Sequence, residues 1–110
     1  PDRLPNSLPH LDLAQIASLK FEAPRWEDFP ALTLARTAGL TGGTMPAMYT
    51  AANEVAVQAF VDGKLSFPGI WETVEKVLSN ARPRDYQGRL PIILEDDAWA
   101  REEAMRVITL

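Results

Sequence analysis

Positions 45–60 form the most apolar stretch of the chain, and few of them carry strongly polar side chains. Those polar positions are Thr50, Asn53, Glu54 and Gln58. A helix with so little polar surface has to be enclosed by other protein. The pattern therefore predicts that residues 45 to about 62 form the central helix of a bundle. We expect Thr44 to cap the start of this helix and Gly63 to end it.

Helical spacing recurs on both sides of this central segment. An earlier helix is predicted over 30–38, with Gly39 as its stop. After Ser66, a predicted helix cap, comes a clean amphipathic stripe. The stripe consists of Phe67, Ile70, Trp71, Val74, Val77 and Leu78. Residues 80–91 are predicted as a loop, and a last helix is expected to begin near Glu95, where three consecutive acids complement the positive helix end.

The first 25 residues lack this helical spacing. Three prolines favour extended backbone at the residues before them, and they are Pro1, Pro5 and Pro9. A short helical turn is predicted at 13–17. In 18–22, Leu19 and Phe21 alternate with polar residues, which predicts a short strand. A single strand has unpaired edges and is not stable alone, so this strand needs a partner from elsewhere.

These elements predict a mainly α fold. We expect residues 26–110 to form a compact four-helix domain, a bundle whose links are short. Residues 1–25 precede it as an extended arm with one short strand. The length of 110 residues is typical of one domain. Because the strand of the arm has no predicted partner in this chain, we expect the arm to pair with a sheet in another part of a longer polypeptide.

Composition and charge exclude several classes of function. The net charge of −4 has the wrong sign for a nucleic-acid partner, and the densest basic stretch, 82–84, is interrupted by proline. No apolar run approaches the roughly 18–20 residues that span a bilayer. The absence of cysteine excludes disulfides and thiolate metal sites. The chain begins with Pro1 and no signal peptide follows, so we expect it to be the interior of a longer polypeptide.

Three motifs invite a chemical interpretation, and each has a simpler structural one. Residues 95–97 are acidic, but neighbours on a helix diverge by about 100° and do not converge on one metal ion. His10 is the only histidine and has no nearby nucleophile, so a surface position is favoured over a catalytic base. Segment 39–44 lacks the Lys-Ser/Thr pair of a phosphate loop and is better explained as a turn. No catalytic, cofactor-binding or metal residue is predicted.

Asn53 and Glu54 are the one polar pair expected in a mostly buried setting. A buried glutamate could serve as a catalytic carboxylate, because burial raises its pKa. No second acid, base or nucleophile accompanies the pair, so structural pinning is the favoured role. We expect Asn53 to bond a neighbouring group, since a buried amide without partners costs about 1–3 kcal/mol.

Several separated motifs together resemble one enzyme family. Thr50-Ala51-Ala52-Asn53-Glu54 is similar to the Asn-Ala-Ala-Asn-Glu helix of the 1-deoxy-D-xylulose 5-phosphate reductoisomerases. Segments 18–24, 29–35 and 97–104 resemble the family's strand and turn, its first helix of the C-terminal domain and its last helix, in the same order. Two positions depart from the pattern: Thr50 replaces the usual Asn, and Arg25 stands where an acid is common.

The resemblance implies that this chain is the C-terminal part of such an enzyme. The family converts 1-deoxy-D-xylulose 5-phosphate to 2-C-methyl-D-erythritol 4-phosphate in non-mevalonate isoprenoid synthesis, with NADPH and a divalent metal ion (Mg, Mn or Co). It is homodimeric, and cytoplasmic in bacteria or plastid-type in eukaryotes. Its cofactor, metal and substrate groups lie upstream of Pro1, so this chain is expected to be inactive alone and to support the catalytic domain of the same polypeptide. The alternative is a free-standing helical interaction module whose arm docks by strand addition.

Overall fold

The chain is mainly helical, as predicted. The computed structural model describes residues 7–109, and these contain five α-helices and no strand. The helices are α1 (Leu13–Ile16), α2 (Pro30–Thr41), α3 (Met45–Val61), α4 (Phe67–Asn80) and α5 (Leu90–Thr109). In the part of the chain that the structure describes, no helix combines the length and apolar character needed to cross a membrane.

The central position of α3 is confirmed. It packs against α2, α4 and α5, and the core lies where these helices meet. The buried core residues are Met48, Ala51, Ala52, Val74, Val77, Ala100 and Ala104. Four of them are alanines, which lets the helix backbones approach closely. One side of α3 nevertheless stays open to solvent and exposes Val57, Phe60 and Val61, so the expectation of enclosure all round is only partly met.

The local signals around α3 and α4 predicted their ends well. Ser66 caps α4, because its side-chain oxygen accepts a hydrogen bond from the Gly69 N–H at 3.2 Å. Gly63 follows α3 with a φ of +73°, a conformation that favours glycine. Thr44 does occupy the position before α3, but its side chain makes no capping bond and is used elsewhere.

The predicted ends of α2 and α5 were wrong. Helix α2 continues through Gly39 to Thr41, and the chain turns at Gly42 with a φ of +71°. A glycine inside a helix costs only about 1 kcal/mol, which the packing of α2 outweighs. Helix α5 begins at Leu90 and not near Glu95. Pro91 therefore lies in its first turn, where proline's missing N–H has no consequence.

The arm contains one helical turn and extended backbone. Asp12 caps α1, because its Oδ1 accepts hydrogen bonds from Ala14 N at 2.9 Å and from Gln15 N at 3.3 Å. The strand predicted at 18–22 is not found in this chain by itself: these residues have no regular secondary structure, and residues 7–109 contain no strand to pair with them, so a strand there stays a prediction. Phe21 is 86% exposed. Pro1 and Pro5 lie outside the described residues.

Candidate functional site

The two polar residues that the sequence singled out, Asn53 and Glu54, lie in different environments. Asn53 is only half-buried, and within residues 7–109 its side chain forms no hydrogen bond, so the expected buried and bonded amide is not found. Glu54 is exposed, and its Oε2 accepts a hydrogen bond from Arg101 Nη2 at 2.6 Å. The two side chains do not act as a pair, and only Glu54 joins two helices.

Arg101 on α5 connects Glu54 of α3 with Asp97 of its own helix, and we call these three residues the Arg101 bridge. Arg101 Nε donates to Asp97 Oδ2 at 2.8 Å. Hydrogen bonds to Asp97, and to a smaller extent to Glu54, raise the pKa of Arg101 above its usual value. All three side chains keep substantial contact with solvent, and ion pairs of that kind contribute little to stability.

A second polar cluster lies where the α2–α3 link meets the α4–α5 loop. We call Gly43, Thr44, Arg84 and Asp96 the Arg84 cluster. The two segments exchange hydrogen bonds: Thr44 N–H donates to the Arg84 carbonyl at 3.0 Å, and Arg84 N–H donates to Thr44 Oγ1 at 2.9 Å. Gly43 has a φ of +55°, and a Cβ there would lie 2.6 Å from the Arg84 carbonyl oxygen. This contact requires glycine.

The Arg84 guanidinium then fixes this loop to α5. Its Nε donates to both carboxylate oxygens of Asp96, at 3.0 and 3.1 Å, and its Nη2 donates to Asp96 Oδ1 at 2.6 Å. The same Nη2 also reaches the Ile92 carbonyl at 3.2 Å and Glu95 Oε2 at 3.0 Å. Arg84 therefore ties three segments of the chain together, the α2–α3 link through its backbone and α5 through its side chain.

Asp96 is the buried acid of this cluster, and it is only 7% exposed. The Thr44 hydroxyl donates a hydrogen bond to its Oδ2, and no buried side-chain oxygen or nitrogen of the described residues lacks a hydrogen-bond partner. Hydrogen bonds from Arg84 keep the pKa of Asp96 below its usual value, against the upward effect of burial. Both oxygens of the carboxylate are therefore bonded within the domain. Its geometry is that of a structural clamp.

The remaining motifs do not assemble into a reaction centre. The three acids diverge as expected: Glu95 and Asp96 bond to Arg84, and Asp97 bonds to Arg101. They lie more than one turn inside α5, so they do not mark its start. His10 is exposed on the arm. No group of three metal-ligating side chains occurs among the described residues.

Sequence reasoning missed the Arg84 cluster. Thr44 and Asp96 are separated by 52 positions, and neither spacing nor periodicity connects them. The available signals were local ones: paired glycines at 42–43 before a helix, and an arginine following Pro83 in a loop. The glycines were interpreted as a turn, and the arginine was considered only as part of a loop and of the basic stretch 82–84.

Comparisons with known proteins agree on one relationship. A family model described as the DXP reductoisomerase C-terminal domain matches residues 1–103. The 1-deoxy-D-xylulose 5-phosphate reductoisomerases of Pelotomaculum thermopropionicum and Desulforamulus reducens are 48% identical over 108 residues and 46% identical over 110 residues. Each alignment covers 98% of this chain but 28% of the relative.

A solved structure gives the same result. The 1-deoxy-D-xylulose 5-phosphate reductoisomerase from Zymomonas mobilis, in complex with NADPH, superposes with a TM-score of 0.84 and is 38% identical. The superposition covers 97% of this chain and 28% of that one. The chain therefore spans a little over a quarter of the length of the proteins it resembles.

Proposed function

Because the chain belongs to the family of DXP reductoisomerase C-terminal domains, we propose that it is the structural C-terminal part of such an enzyme. The parent polypeptide would act on 1-deoxy-D-xylulose 5-phosphate, the substrate in the names of the relatives, and we propose that it rearranges and reduces it to 2-C-methyl-D-erythritol 4-phosphate. Within that enzyme this chain supports the catalytic domain and contributes no reacting group.

The observation that carries this proposal is the extent of the family match. It covers the helical unit and the arm together. Residues 7–25 of the arm bury no side chain, and the apolar side chains at Leu11, Leu19 and Phe21 are exposed. Exposed apolar groups in such a short segment are typical of a surface that another domain covers.

We propose the same division of the chain that the sequence suggested. Residues 1–25 belong with the catalytic domain, and residues 26–110 form the four-helix unit. In the parent enzyme, 18–22 would pair with the edge of a sheet, with Leu19 and Phe21 turned inward. Lys20 and Glu22 already pair with each other at 2.6 Å, which suits the outward face of such a strand.

The cofactors are assigned to the upstream part of the polypeptide. NADPH accompanies the Zymomonas mobilis relative, and the parent of this chain would use it as hydride donor. A divalent ion (magnesium, manganese or cobalt) would be held upstream too, since the described residues of this chain supply no suitable group of ligands. The parent is proposed to be a homodimer, and cytoplasmic like a typical metabolic enzyme of its bacterial relatives.

A complementation assay tests the proposal. The full-length enzyme, a truncated enzyme that ends before residue 1, and this chain alone are compared for NADPH oxidation with 1-deoxy-D-xylulose 5-phosphate and Mg²⁺. We expect no turnover from the chain alone, little from the truncated enzyme, and partial recovery when the two are mixed. A Phe21→Asp chain is the matched control, because Phe21 is exposed in the isolated chain and its change should abolish recovery without unfolding the helices.

Two outcomes would contradict this role. Turnover by the chain alone would place reacting groups within it. Full activity of the truncated enzyme without the chain would remove the supporting role and favour the interaction module with a docking arm.

A further inference from the structure

Among residues 7–109, one side of α3 has no helix packed against it. Thr50, Glu54, Val57 and Val61 recur at i, i+4, i+7 and i+11, so they share one face of the helix. All four are exposed; Val57 is 40% exposed and Val61 69% exposed. We call these four residues, with the half-buried Asn53 beside them, the open face. Helices α2, α4 and α5 cover the other sides of α3.

The polar groups of the open face are mostly satisfied from within the domain. The Thr50 hydroxyl donates to the carbonyl of Pro46 at 3.1 Å. The Glu54 carboxylate is paired with Arg101 at 2.6 Å. The Thr50 hydroxyl and the Glu54 carboxylate already have partners, so a protein covering this face would leave neither without a hydrogen bond, although the charges of the Arg101 bridge would lose hydration.

The outer face of α4 provides a contrast. Glu72, Glu75 and Lys76 are exposed there, and in residues 7–109 none of their charged groups takes part in an ion pair. Such a face is stable in water and costly to bury. The exposed side of α4 thus carries charges without ion-pair partners among the described residues, whereas the open face of α3 carries apolar side chains and a carboxylate that is already paired.

We infer that the open face is a second docking surface for the upstream, catalytic part of the parent reductoisomerase. This inference depends on the proposed function. The chain covers 28% of its relatives, so most of such a polypeptide lies outside this structure and is available to cover the face. The surface that fits is apolar opposite Val57 and Val61, and it presents one hydrogen-bonding group to the unpaired Asn53 amide.

Two attachments explain how a domain on an extended arm can give mechanical support. An arm alone would restrict distance but leave orientation free. A second contact on α3 becomes effectively intramolecular once the arm is docked, so even a weak contact is occupied. The arm and the open face together would fix the helical domain against its catalytic neighbour.

Cysteine labelling tests this inference directly, because the chain contains no cysteine. Val57→Cys is compared in the isolated chain and in the full-length enzyme, each measured against the same protein without the added cysteine. Lys76→Cys, on the solvated face of α4, is the matched control. We expect the Val57→Cys thiol to react about tenfold more slowly with maleimide in the full-length enzyme, and Lys76→Cys to change by less than about twofold.

A third position separates this inference from the proposed function. Phe21→Cys reports docking of the arm. Equal reaction of Val57→Cys in both proteins, with Phe21→Cys protected in the full-length enzyme, overturns the open face as a docking surface and leaves the proposed function standing. Unprotected Phe21→Cys and Val57→Cys together overturn both. Protection of Val57→Cys in the isolated chain that grows with its concentration identifies a second copy as the occupant and also overturns the inference.

Discussion

The domain contains two arginine-centred clusters that both contact α5 and both consist of ion pairs, but they differ in what surrounds them. The Arg84 cluster includes a carboxylate that is 7% exposed, and two of its bonds are donated by backbone N–H groups. The Arg101 bridge consists of side chains alone, and water reaches each of them. Buried groups lose their hydration when a partner is removed, whereas exposed ones regain it. Enclosure should therefore decide which cluster the fold requires.

The largest effect should come from Gly43→Ala in the Arg84 cluster. The added Cβ would lie 2.6 Å from the Arg84 carbonyl oxygen, at a residue whose φ is +55°. We expect a loss of about 3 kcal/mol in the free energy of unfolding, from strain and displacement of the loop. Gly39→Ala is the control, because nothing lies within 4 Å of its Cβ position, and it should stabilise the helix by about 0.5–1 kcal/mol. Equal denaturant midpoints for the two variants would refute the close contact.

Asp96→Asn should have the next largest effect. The change leaves the Arg84 guanidinium with only the exposed Glu95 as counter-charge and disturbs the bond from Thr44. We expect a loss of about 2 kcal/mol, measured by urea unfolding. Asp97→Asn, the neighbouring change in the Arg101 bridge, should cost less than about 1 kcal/mol. If the two variants unfold at the same urea concentration, enclosure does not distinguish the clusters.

The difference between wild type and Asp96→Asn should also depend on pH. The pKa of Asp96 is lowered in the folded state, chiefly by Arg84. A lowered pKa stabilises the fold above the unfolded value of about 3.9, and this contribution disappears as the pH falls through the folded value. Melting temperatures of the two proteins should therefore converge as the pH is lowered from about 5 towards 2. A gap that stays constant over this range would argue against the ionised clamp.

The smallest effect is expected for Glu54→Ala. Its ion pair with Arg101 spans 2.6 Å but is exposed to water and salt. The loss in the free energy of unfolding should be below about 1 kcal/mol and should become smaller still in roughly 0.5 M salt. A loss comparable to that of Asp96→Asn, insensitive to salt, would show that the Arg101 bridge is as important as the Arg84 cluster.

Local patterns predicted those parts of the fold that depend on neighbouring residues. Helix α4 has a strong apolar period and a serine cap, and both of its ends were close to the prediction. Pro91 was harder to interpret, since proline is common both in loops and in the first turn of a helix. The predicted start of α5, near Glu95, was therefore too late in the sequence. Asn53 looked buried on a helical wheel, but the wheel does not tell which side of α3 lacks a neighbour.

The Arg84 cluster was beyond such reasoning for a different reason. Its members come from three separate segments, and their contacts arise only when the helices are packed. The strand predicted at 18–22 also depends on a contact that local patterns do not reveal. Its alternation is real, but a strand is defined by the chain it pairs with, and that information is not in these residues.

The 52 positions between Thr44 and Asp96 also bear on how the protein is made. On the ribosome, α3 leaves the exit tunnel before α5 does, so Ala51 and Ala52 stay without the helix that buries them until α5 has emerged. Folding of this unit is thus completed only when its last helix is released. A stop codon just after residue 89 would produce a polypeptide that lacks this partner, and such a product should be recognised by chaperones or degraded.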